Sequence, residues 1–136
     1  MPEPTPADAP VGLLLSDDLI FSSRITGTAR GLGLVVKPAR SAGVLENLAR
    51  QHAPACVLVD LGNPGLEIAE LIAQLRDSCP RLPRVVAYGS HVDTATLRAA
   101  RAAGCDVVLP RSQFVEQLPT ALPGWLGGDS AGGAGA

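Results

Sequence analysis

The chain has 136 residues, a net charge of −2, 46% hydrophobic residues and only 3% aromatic ones, with a pI near 5.6. That length suits a single domain with an aliphatic core. That charge excludes broad, sequence-blind attraction to nucleic acid or anionic membrane. Cys56, Cys79 and Cys105 are odd in number and lack Cys-x-x-Cys spacing, which excludes an obvious disulfide framework or zinc site.

Residues 1–10 are rich in proline and carry neither a basic start nor a long apolar stretch. They read as a flexible leader and not as a signal peptide. Gly12–Leu15 is the first apolar run, followed by Asp17 and Asp18. Asp18 is placed to cap a helix from Leu19 to Ala29. Gly31-Leu-Gly33 precedes a strand and does not link strand to helix, so it is no dinucleotide fingerprint. The second run is Leu34–Lys37, with the chain's sole lysine, Lys37, expected after this strand and away from any site. Ser41 caps a second helix presenting Val44, Leu45 and Leu48.

Ala55–Asp60 is the third run; Cys56 within it reads as core and Asp60 stands at its end. A third helix, from about Gly65, sets Ile68, Leu71, Ile72 and Leu75 at helical spacing and stops before Pro80. Arg84–Tyr88 forms the fourth run. Asp93 caps a helix from Thr94 to Ala103, closed by Gly104. Val107–Leu109 is the fifth run. Ser112 caps a last helix, expected to weaken at Pro119, with Trp125 packing the final turn back on the domain. Residues 127–136 form a low-complexity Gly/Ala tail, expected to be disordered. The folded domain is therefore expected over 11–126.

Five alternations of strand and helix predict an α/β domain with a parallel sheet. Continuous apolar strands indicate that helices cover both faces. The expected strand order is 2-1-3-4-5, the flavodoxin-like arrangement, whose switch point lies between strands 1 and 3. Those two strands deliver Asp17, Asp18 and Asp60 to one crevice. Three converging carboxylates repel unless a cation joins them, and a divalent metal is the simplest reading. His52 and His91 have no partner at ligand spacing and read as surface residues.

Leu14-Leu-Ser-Asp-Asp18, Val57-Leu-Val-Asp-Leu-Gly-Asn-Pro64 and Ala102-Ala-Gly-Cys-Asp-Val-Val-Leu-Pro-Arg111 together resemble response-regulator receiver domains of two-component signalling. The resemblance spans essentially the whole folded part. It implies that Asp60 is the phospho-acceptor. It also implies that Asp18, Asp60 and the Gly62 carbonyl hold Mg²⁺, with Asp17 acting through water. Hard oxygen ligands of this kind suit Mg²⁺.

Four departures accompany it. Gly89 stands at the position of the phosphate-binding hydroxyl, with Ser90 beside it as a substitute. Arg111 replaces the lysine, and its planar fork can pair with Asp60 in two hydrogen bonds or remain a surface arginine. Pro64 is followed at once by Gly65-Leu66, as if three residues were missing. Val108 replaces the aromatic on strand 5.

The nucleophile and its acids are kept, while the groups that sense phosphate are altered. A receiver switches only if phosphate distinguishes two conformations. The expected function is therefore a stand-alone, cytoplasmic, non-enzymatic signalling module with a degraded switch, a pseudo-receiver. It would bind a kinase or downstream protein through helix 4, strand 5 and helix 5, where Arg98 and Arg101 lie. Pairing with a second copy stays open. The alternative is a working response regulator phosphorylated on Asp60 with Mg²⁺. An enzyme or flavin protein on the same fold fits less well. Acids follow strand 1 where a phosphate-bearing cofactor needs donors, and no Ser-His-Asp set adjoins the crevice.

Overall fold

The computed structural model describes residues 10–127. The expected leader, apart from Pro10, and the tail beyond Gly127 lie outside the described residues. Five strands and five helices alternate: β1 (Val11–Leu15), α1 (Leu19–Gly31), β2 (Val35–Ala39), α2 (Ala42–His52), β3 (Cys56–Asp60), α3 (Ile68–Ser78), β4 (Arg84–Gly89), α4 (Thr94–Ala103), β5 (Val107–Pro110) and α5 (Arg111–Gly127). The strands form one parallel sheet in the order β2-β1-β3-β4-β5. Both strand prolines, Pro38 and Pro110, fall on the two edge strands, where a missing N–H is tolerated.

Helix starts follow local capping chemistry. Asp18, Ser41 and Asp93 accept from the backbone N–H groups of Phe21, Val44 and Thr96. Gly104 closes α4 at φ 106°. Helix α3 begins at Ile68, later than the expected Gly65, because Gly65 adopts φ 75° in the preceding turn. Lys37 lies within β2, opposite Leu13, and not beyond the strand.

Helix α5 departs most from expectation. It starts directly at Arg111, so Ser112 lies inside it, and it continues through Pro119 and Pro123 to Gly127. Both prolines face solvent, where the carbonyls they leave unbonded can reach water, while Phe114, Leu118, Leu122, Trp125 and Leu126 are buried. Burial of that stripe outweighs the lost hydrogen bonds. Arg84 also donates from Nη1 to the Gly124 carbonyl in the last turn.

Two cores sandwich the sheet. One joins Leu13, Leu15, Val57 and Val59 to α2, α3 and α4, and is aliphatic apart from Cys79. The other joins Leu14, Leu58 and Val86 to α1 and α5 around Tyr88, Phe114 and Trp125. No helix among the described residues is long and apolar enough to cross a membrane.

Candidate functional site

Strand alternation sends Leu58 and Asp60 to the same face of β3, the one covered by α1 and α5. Asp60 ends the strand at the carboxyl edge of the sheet and is only 4% exposed. A buried carboxylate needs hydrogen-bond donors. Asp60 has two: the Ser16 hydroxyl donates to Oδ2 at 2.8 Å, and the Gly62 backbone N–H donates to Oδ1 at 2.9 Å. The Arg111 guanidinium lies at the edge of ion-pair range, Nη2 to Oδ1 at 4.0 Å, and is 48% exposed. This is a single long contact and not the two-bond fork anticipated. The guanidinium carbon instead lies 5.3 Å from the centre of the Phe21 ring, a cation–π position.

Ser16 is buried and ties the site to α1. Its Oγ accepts from the Asp18 N–H at 3.2 Å while donating to Asp60. The Asp18 side chain is occupied elsewhere, capping α1 through Phe21 N–H at 2.9 Å. Asp17 and Asp18 are both exposed. Among the described residues, no three His, Cys, Asp or Glu side chains gather into a group able to hold a metal. The hydrogen-bonded contact that β1 sends to Asp60 comes from Ser16, a neutral donor.

On β4 the residue in register with Asp60 is Tyr88. Gly89 turns to the opposite face, and a Cβ there would meet Leu61 and Leu97. Ser90 is exposed, and its Oγ accepts from Val92 N–H within the following turn. Val108, at the expected aromatic position, packs into the aliphatic core. The hydroxyl that β4 brings toward Asp60 is therefore the phenol of Tyr88. It is wholly buried and makes no well-formed hydrogen bond. Burial pushes its pKa upward, the Asp60 charge adds to that, and the nearby Ser16 hydroxyl and Arg111 charge partly oppose it. The ring sits 5.2 Å from Phe21 and stacks on Phe114 at 4.4 Å.

Ser16 and Tyr88 went unnoticed in the linear sequence, yet a signal exists. Leu14 pairs with Leu58 across β1 and β3, so a step of two residues along each strand brings Ser16 to Asp60.

No protein-family model matches this chain, and no curated protein does. Solved structures do. The signal receiver domain of the response regulator NarL from Mycobacterium tuberculosis superposes with a TM-score of 0.72 at 21% identity, covering 87% of this chain and 96% of that one. The receiver domain of NtrX from Brucella abortus gives 0.73 at 20% identity, covering 87% and 99%. A response regulator from Burkholderia pseudomallei, with a phosphorylated aspartic acid, calcium ion and citrate, gives 0.67 at 22% identity, covering 84% and 69%. The fold is that of response-regulator receiver domains.

Proposed function

We propose that this receiver-fold chain is a signalling module that acts by binding another protein and does not depend on phosphorylation of Asp60. The observation that carries this reading is that Asp60 already has its donors. Ser16 and the Gly62 N–H hold one oxygen each, and Arg111 adds a cation at 4.0 Å. A phosphoryl group gains switching power only from contacts made in one conformation and not the other. Here the β4 side chain opposite Asp60 is a buried phenol within an aromatic stack, not a small mobile hydroxyl.

The donor set also argues against resident Mg²⁺. That ion wants hard oxygen ligands in near-octahedral array. Asp18 spends its side chain as a helix cap, and Ser16 brings a neutral hydroxyl to Asp60. With Asp17, Asp60 and the Gly62 carbonyl as the remaining candidates, a divalent cation would have to compete with the donors that both Asp60 oxygens already hold. In this reading the module has no catalytic role, and its contact surface is α4, β5 and α5, with exposed Arg98 and Arg101.

Intact mass after incubation with a small acyl-phosphate donor and Mg²⁺ tests the reading directly. The mass is expected to stay unchanged. Asp60→Asn is expected to retain the partner that co-purifies with the wild-type chain, and the double change Arg98→Glu, Arg101→Glu to lose it. Gain of one phosphoryl group, with partner binding that follows it, would establish the phospho-acceptor reading instead.

A further inference from the structure

Beside the Asp60 site, α1, the turn after β4 and α5 border an open groove of about 510 Å³. Its walls include Phe21 and Arg24 from α1, Ser90 and His91 from the turn, and Arg111 and Val115 from α5. This volume, with Phe21 and Val115 as apolar surface beside convergent polar groups, is enough to seat a small planar ligand along an open groove. We propose that the cleft binds a small aromatic monocarboxylate, and that the bound anion competes with Asp60 for Arg111.

Charge sets the class of ligand. Two guanidiniums line the cleft. Arg111 faces Asp60 at 4.0 Å, so one carboxylate already offsets one of them. Arg24 makes no ion pair among the described residues. One unit of positive charge is left over, which suits a monoanion better than a dianion. Guanidinium forks match the geometry of a carboxylate, and the Ser90 hydroxyl sits within the same wall. Phe21 supplies the apolar platform. It is only half-buried, and its ring continues inward to Tyr88 at 5.2 Å. Arg111 already lies over that ring, so a planar ligand entering there meets both an aromatic face and a cation.

The consequence for Asp60 follows from shared use of one cation. A carboxylate in the cleft draws Arg111 away from Asp60, leaving Asp60 on Ser16 and the Gly62 N–H. This linkage rests on Arg111 as the cation that attends Asp60; occupancy of the cleft itself does not.

Benzoate, its neutral isostere benzamide, and inorganic phosphate serve as probes, with binding followed by the amide resonances of Val115 and Ser90. Benzoate is expected to give saturable shifts, weakened about tenfold in Arg24→Gln, an exposed position where folding is not at stake. Asp60→Asn releases Arg111 and is expected to tighten benzoate severalfold. Absence of saturation, equal binding of benzamide, equal binding of phosphate without the ring, or indifference to Arg24→Gln would each overturn the site. If the cleft binds benzoate but Asp60→Asn leaves the affinity unchanged, the link to Asp60 is overturned. Neither result alters the mass and co-purification outcomes that decide the role of Asp60.

Discussion

The two faces of the sheet solve the same packing problem with different side chains. The face under α2, α3 and α4 is filled by Leu, Val and Ala, with Cys79 at its margin. The face under α1 and α5 holds every aromatic residue of the chain: Phe21, Tyr88, Phe114 and Trp125. These rings form a column, from Trp125 to Phe114 at 6.0 Å, Phe114 to Tyr88 at 4.4 Å and Tyr88 to Phe21 at 5.2 Å. Asp60 and Arg111 sit at the top of that column. The aliphatic face supports the fold; the aromatic face supports the fold and the site together. Large rigid rings with few rotamers hold their polar tips in fixed places, which is what a site next to them requires.

The largest expected effect separates the faces by their reach. Phe114→Ala should destabilise the chain by about 3–5 kcal/mol in urea unfolding. The milder pair Phe114→Leu and Leu75→Val sharpens the point. The first should shift the resonances of Asp60 and Arg111, and the second should leave them in place. Equal perturbation of the site by both would break the distinction. Next in size, Ser16→Ala removes a buried hydrogen bond to a carboxylate and should cost about 2 kcal/mol, again read by urea unfolding.

A third effect is silent near neutral pH. Burial pushes the Cys56 thiol, on the aromatic face, from 9.0 to about 12. It pushes Cys105, against the aliphatic face, from 9.0 to about 11. Both folded values are raised, so the folded state keeps protons that the unfolded chain releases. Their contribution is fully present below pH 9 and is lost as pH rises toward the folded values. Chemical stability should therefore decline above pH 9, with Cys56→Ala flattening the decline more than Cys105→Ala. The smallest effect belongs to Arg111→Gln. A contact of 4.0 Å to a half-exposed guanidinium should change stability by about 0.5 kcal/mol or less, even though the same change is expected to weaken benzoate binding in the cleft.

Strand order, three of the helix starts (α1, α2 and α4) and the closing glycine of α4 were legible in the sequence because they depend on short-range rules: apolar runs, a capping side chain, a left-handed turn. The fifth helix was less so. Pro119 and Pro123 argue locally for a break, and only burial of Phe114, Leu118 and Leu122 against the sheet reverses that. The site divided in the same way. Asp60 and Arg111 could be placed from their segments. Ser16 and Tyr88 could not, because their relation to Asp60 is a matter of register between strands far apart in the chain. Counting along β4 alone pointed to Gly89 and Ser90. The register puts Tyr88 opposite Asp60 and turns Gly89 toward α4. The helix-capping role expected of Asp18 is the one the structure displays, since its Oδ1 accepts from Phe21 N–H.

Gly12, at the start of β1, is approached so closely by Leu126 that a Cβ would lie 2.8 Å from its Cδ2 atom. The first strand is thus sealed by nearly the last turn of the described chain. During synthesis, domains emerge and fold from the N-terminus, so β1 must leave the ribosome more than a hundred residues before its cover arrives. Until Trp125 and Leu126 emerge, that face of the nascent sheet has α1 alone upon it, and the part that α5 will cover stays exposed.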